Sequence, residues 1–115
     1  MNFRMFPGAF CLSSLLLLPV AAQAQACKAI EGRWTGTMTR DGQSPTALSM
    51  DITAGCDASW SLPNQCRLTD VDGGHAKYHC SRGSVGTVRM SKSSLTWRNT
   101  ETGPMHGFYT ISVRR

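Results

Sequence analysis

Residues 32–38 read GRWTGTM, and this stretch decides the fold because its residues alternate between two kinds. Trp34 and Met38 share one face with Gly32 and Gly36, and the preceding Ile30 is predicted to begin this inward face, while arginine and threonine occupy the positions between Gly32 and Met38. A period of two is typical of a β-strand with one buried face. The two glycines beside the tryptophan predict room for its ring and a tight bend of the strand.

The same alternation recurs in seven further short segments. Their predicted inward residues are Leu48, Met50 and Ile52; Ala58, Trp60 and Leu62; Cys66 and Leu68; Ala76, Tyr78 and Cys80; Val88 and Met90; Leu95 and Trp97; and Tyr109, Ile111 and Val113. Turn residues separate the segments. Eight short strands joined by short loops predict an all-β antiparallel meander, closed or nearly closed into a small barrel, because an open meander leaves two exposed edges.

Closure would place the first strand beside the last, so both contribute to one end of the barrel. We expect Trp34 to fill that end, and Arg114, near the end of the last strand, to stack on its indole ring or cap the barrel. An eight-stranded interior is just wide enough to be filled by side chains. Trp60, Tyr78 and Trp97 would take much of the remaining space, so we predict that the protein is not an enzyme.

Residues 1–26 have the three parts of a secretory signal peptide: a cationic start at Arg4, an apolar run over residues 12–18, and an A-x-A ending. The run is too short to span a bilayer as a helix. We predict cleavage after Ala26, with Ala24 as the alternative, and a single domain over residues 27–115. The predicted location is periplasmic or secreted.

Five cysteines are present, and Cys11 lies within the predicted leader. The remaining even set predicts two disulfides in an exported chain. Residues 72–74 as a hairpin loop would place Cys66 opposite Cys80, and the first hairpin would bring Cys27 beside Cys56. We therefore predict Cys27–Cys56 and Cys66–Cys80. Lipid anchoring at Cys27 is the alternative, and it would leave an odd number of cysteines.

Charge and motifs exclude several function classes. Residues 27–115 carry eleven Lys and Arg against seven Asp and Glu, a net charge of +4 that favours anionic partners. No nucleic-acid motif is present, and we predict no cofactor and no metal. His75 and His79 are about 13 Å apart along a strand, too far to share one ion. Residues 70–74 are interpreted as a hairpin turn.

The loop over residues 100–108 is the longest in the predicted domain, and it carries exposed apolar candidates. We predict a binding site at Pro104, Met105, His106 and Phe108, together with the segment leading into Trp34, because exposed apolar residues on a rigid scaffold often mark contacts. The alternative is that the loop folds over the barrel and closes its end.

The Gly32-Arg33-Trp34 motif in a first strand, with an arginine in the last, resembles the signature of lipocalin and avidin-like barrels. The stretch from Cys27 to Trp34 is also similar in outline to bacterial Inh-type metalloprotease inhibitors. These resemblances imply a small periplasmic barrel. The expected function is a monomeric protein-binding module, in its most specific form a hydrolase inhibitor acting through a surface loop. A small-ligand or lipid binder and a structural envelope protein are the alternatives.

Overall fold

The computed structural model describes residues 26–101 and 107–115, and within these ranges it contains eight antiparallel strands. They are β1 (Gly32–Arg40), β2 (Thr46–Ile52), β3 (Asp57–Trp60), β4 (Asn64–Thr69), β5 (His75–Cys80), β6 (Val85–Met90), β7 (Ser94–Glu101) and β8 (Tyr109–Arg114). Each strand pairs with the next, and β8 pairs with β1. The predicted barrel is therefore confirmed, and it is closed.

Gly36 allows the barrel to close where β1 meets β8. A Cβ atom at this position would overlap the backbone oxygen of Ser112 and lie 2.8 Å from the Cα of Val113, so a larger residue would push the strands apart. Gly32 has another role, because a Cβ there would meet no atom within 4 Å. The expectation that Gly32 makes room for the Trp34 ring is thus wrong. Its φ of +125° instead lets the chain turn into β1.

A single helical turn over residues 26–29 precedes β1. Ile30, predicted as the first inward residue of the strand, lies in the turn that follows it, where its side chain is buried. The strand alternation could not distinguish these cases, since Ile30 is buried in either arrangement. In the same way, β3 ends at Trp60, and Leu62 lies half-buried in the following turn.

Both predicted disulfides are confirmed. Cys27–Cys56 ties the helical turn to the residue before β3, and Cys66–Cys80 joins directly opposed residues of β4 and β5. The two bridges therefore fasten different parts of the barrel. One holds a segment outside the sheet, and the other lies within the wall.

The β4–β5 hairpin has the predicted register but a longer loop. Pairing ends at Thr69 opposite Lys77, because Asp70 takes a positive φ of 49°. The carboxylate of Asp72 then accepts hydrogen bonds from the backbone N–H groups of Gly74 and His75, at 2.8 and 2.7 Å. These bonds hold the pKa of Asp72 below its ordinary value.

The inward residues form one hydrophobic core along the barrel axis, and the barrel has two different ends. The core residues buried at 1% exposure or less, apart from cysteine, are Trp34, Met50, Ala58, Tyr78, Val88, Leu95, Trp97, Ile111 and Val113. At the end where β1 begins, residues 26–31 cover the core, and we call it the plugged end. The opposite end, where β1 finishes and β8 begins, is called the open end as a label for these strand ends alone, because residues 102–106, which connect β7 to β8, lie outside the described residues.

Candidate functional site

Phe108 lies at the rim of the open end, directly before β8, and it is the large hydrophobic side chain that stays exposed among the described residues. Its exposed fraction is 57%, while Tyr109 beside it is buried. The predicted site residues Pro104, Met105 and His106 lie outside the described residues. A groove of about 340 Å³ adjoins Phe108. Its lining residues are Thr39, Asp41, Arg98, Asn99, Phe108, Tyr109 and Thr110.

Asn99 holds the chain on either side of Phe108. Its Oδ1 accepts a hydrogen bond from the backbone N–H of Tyr109 at 2.7 Å, and its Nδ2 donates to the carbonyl of Gly107 at 3.1 Å. Asn99 is 6% exposed, so these bonds are shielded from water and fix the backbone on both sides of Phe108. The sequence offered one signal for this role, which is a polar residue at an inward position directly after Leu95 and Trp97.

Four aromatic side chains fill the barrel behind this rim. Trp60 packs edge-on against Trp97 and Tyr109, with ring centroids 5.6 and 6.1 Å apart. The hydroxyl groups of Tyr78 and Tyr109 share a hydrogen bond of 2.8 Å. Burial, the larger cause, and this hydrogen bond both raise the pKa of Tyr78 above its ordinary value, so its phenol stays neutral. The prediction that Trp60, Tyr78 and Trp97 occupy the interior is confirmed.

Two donors in this aromatic interior remain unused. Within the described residues, the indole Nε1 groups of Trp60 and Trp97 are buried and have no hydrogen-bond partner. Buried polar groups are normally paired, so each unpaired donor calls for an explanation. Trp60 also lines a small pocket of about 70 Å³ at the open end. The lining residues are Met38, Arg40, Trp60, Leu62, Pro63, Asn64, Arg82, Ser84 and Tyr109.

The plugged end is held together by Trp34 and Arg115. The Trp34 ring is fully buried and its Nε1 donates to the carbonyl of Ile30 at 2.9 Å. The Arg115 guanidinium lies 4.5 Å from the centre of that ring and donates to the carbonyls of Ala29 and Glu31, at 2.6 and 2.9 Å. These contacts fasten the helical turn and the chain before β1 onto the barrel.

The stacking arginine is therefore Arg115, and the prediction of Arg114 is wrong. Arg114 continues the alternation of β8 after the buried Val113, so its side chain points outward and is exposed. Arg115 lies after the strand, where the chain no longer has to alternate and can turn back over the indole.

Trp34 and the rim cannot form one contact surface, which corrects the predicted binding site. In the β1–β8 ladder Thr35 is opposite Arg114, whereas Arg40, at the far end of β1, is opposite Tyr109. Trp34 is thus separated from the residue next to Phe108 by about 20 Å of strand. It is also fully buried, so its role is to support the plugged end.

No protein family, curated protein or solved structure that was compared matches this chain. Within residues 26–101 and 107–115 there is no group of three or more His, Cys, Asp or Glu side chains placed to hold a metal ion. None of the helical structure in the described part is long and apolar enough to cross a membrane.

Proposed function

We propose that this protein is an exported binding module that recognises another protein with the open end of its barrel. The observation that carries the proposal is the exposure of Phe108 on a rim whose backbone is fixed by Asn99. Large aromatic side chains are typical anchors of protein interfaces. A fixed rim loses little conformational entropy when it binds, and this favours affinity.

Inhibition of a hydrolase is the most specific form of the proposal. An inhibitor has to present a segment that keeps its conformation, and the closed barrel with two disulfides supplies a rigid support for the rim. The two disulfides are consistent with an extracellular or periplasmic location. Export through the leader at residues 1–26 is part of the same proposal.

Photo-crosslinking tests the proposal because it can capture a partner that has not been identified. A benzophenone amino acid replaces Phe108 in one variant and Lys92, exposed in the β6–β7 turn at the plugged end, in the control. We expect a discrete protein adduct from position 108 in an extracellular or periplasmic extract and none from position 92. Equal adducts at both positions, or none at 108, would contradict the proposal. Residual activity of serine, cysteine and zinc endopeptidases then tests inhibition.

Binding of a small ligand is a second candidate, favoured by the unpaired Nε1 donors of Trp60 and Trp97. A ligand with an acceptor oxygen that entered the barrel from the open end would accept hydrogen bonds from these donors. Native mass spectrometry of the protein purified from its own host would show the added mass. A protein that carries no added mass, and whose tryptophan fluorescence is unchanged by lipid and fatty-acid extracts, would contradict this candidate.

A further inference from the structure

The outer surface of β5, β6 and β7 carries a shallow groove of about 290 Å³ with two arginine side chains. We call it the basic groove. Its lining residues are His75, Thr87, Val88, Arg89, Thr96 and Arg98. Every one of them lies in a strand, so the barrel wall itself fixes their backbone positions. The basic groove is thus a feature of the rigid wall and does not depend on a loop.

The strand register places the cations of the basic groove side by side. Arg89 is opposite both His75 and Thr96, and Arg98 is opposite Thr87 on the neighbouring strand. Arg89 and Arg98 are therefore diagonal neighbours on one outer face, and such positions are about 7–8 Å apart. Both guanidinium groups can reach a single bound group from this spacing. The hydroxyls of Thr87 and Thr96 lie between them as further donors.

The two arginines of the basic groove have no ion-pair partner in the described part of the chain. Ion pairs there join Arg33 to Asp51, Arg67 to Asp57, and Lys77 to Asp70. Neither Arg89 nor Arg98 makes a side-chain hydrogen bond or an ion pair within residues 26–101 and 107–115. Diagonal neighbours on one face are within reach of each other when their side chains are long, so the two guanidinium charges repel each other. An anion from outside the chain would relieve this repulsion.

We propose that the basic groove binds the phosphate or sulfate groups of a linear polyanion. Guanidinium groups recognise such oxyanions with paired hydrogen bonds, and a tetrahedral group has oxygens left over for the threonine hydroxyls. The groove is concave, which suits a single chain better than the flat headgroup layer of a membrane. This site lies on the barrel wall and does not rest on the protein-binding role of the rim.

Polyphosphate of defined chain length is a suitable probe, with binding measured by isothermal titration calorimetry at low and moderate salt. The test variants are Arg89→Gln and Arg98→Gln, and Arg89→Gln is the cleaner one because Arg98 also lines the groove at the rim. Arg33→Gln is the matched control, since it removes the same charge from an exposed arginine that already has a carboxylate partner.

We expect each test variant to raise the Kd for polyphosphate about tenfold, and the control to change it less than about threefold. A melting temperature of Arg89→Gln that is no lower than that of the wild type would show that the fold is intact, since the substitution also removes the repulsion between the two arginines. Equal losses in Arg89→Gln and Arg33→Gln would overturn the proposal, because binding would then follow net charge alone. Binding to phosphatidylglycerol vesicles without binding to soluble polyphosphate would also overturn it. Phe108→Ser should leave polyphosphate binding unchanged, which separates this site from the rim.

Discussion

The two ends of the barrel differ in how completely their polar groups are paired. At the plugged end, the indole N–H of Trp34 and the guanidinium of Arg115 both donate to backbone carbonyls, and a disulfide anchors the helical turn. Toward the open end, the indole N–H groups of Trp60 and Trp97 have no partner among the described residues, and Phe108 is exposed. In a closed barrel the strands pair with each other all the way round, so the side chains at the two ends are not needed for strand pairing. The two ends can therefore have different roles.

This contrast separates stability from recognition. Paired and buried groups at the plugged end lower the energy of the folded chain but offer nothing to a partner. An unpaired buried donor and an exposed aromatic ring each cost free energy in the isolated protein. Binding at the open end could recover that free energy.

Removal of the disulfides should give the largest effects. In a model of unfolded-chain entropy, Cys27–Cys56, with a sequence separation of 29, is worth about 3.6 kcal/mol, and Cys66–Cys80, with a separation of 14, about 3 kcal/mol. The first bridge also anchors the helical turn, which widens the difference. Urea unfolding of the two double Cys→Ala variants measures both values. A greater loss on removing Cys66–Cys80 would mean that the plug contributes little to stability.

Replacing single tryptophans with phenylalanine tests the pairing contrast directly. Trp34 and Trp97 are both fully buried, so the loss of ring volume is similar in Trp34→Phe and Trp97→Phe. Only Trp34→Phe breaks a hydrogen bond and leaves the Ile30 carbonyl without its donor. We expect Trp34→Phe to lower the free energy of unfolding by about 1–3 kcal/mol more than Trp97→Phe. Equal losses would show that the Nε1 of Trp97 is also paired in solution.

The barrel could be predicted from the sequence because inward and outward residues alternate along each strand with a period of two. Alternation located the strands, and the spacing around residues 72–74 placed Cys66 opposite Cys80 as the structure has them. The same rule could have corrected the Arg114 prediction, since a residue that follows an inward Val113 must point outward. The position of Arg115 lies beyond the strand, where alternation says nothing.

The candidate site was less predictable for a related reason. Phe108 was expected to point outward, and it does. The clamp by Asn99 depends on a side chain reaching two backbone groups across a hairpin, and no local pattern encodes that. The separation of Trp34 from the rim follows from the direction of each strand. The basic groove also appears only after the register brings Arg89 and Arg98 together.

Arg115→Ala should have a moderate effect and Arg114→Ala almost none. Arg115→Ala removes the contact with the Trp34 ring and two charged hydrogen bonds near the surface, and we expect a loss of about 1–2 kcal/mol. Arg114 is exposed and has no side-chain partner among the described residues, so its removal should stay within about 0.5 kcal/mol. Thermal unfolding compares the two. Equal effects would mean that the guanidinium contact is lost in solution.

The smallest predicted effect is a pH dependence of the turn after β4. This turn lies at the plugged end, and its hydrogen bonds depend on the Asp72 carboxylate. The pKa of Asp72 is lowered by the hydrogen bonds from Gly74 and His75, so the folded state favours the ionised form. This stabilisation is complete above the pKa of the unfolded chain, about 4, and is lost as the pH falls through the lower folded value. The protection of the Gly74 and His75 amides, measured relative to their intrinsic exchange rate at each pH, should therefore decrease below about pH 4, before the protection of the strands does. In Asp72→Asn, the amides of Gly74 and His75 should exchange faster at neutral pH, and their protection should no longer depend on the pH.

Asp41→Asn, in the β1–β2 turn at the open end, is the control, and it should leave the exchange of Gly74 and His75 unchanged. If Asp72→Asn kept the wild-type pH profile, another carboxylate would be responsible for holding this turn.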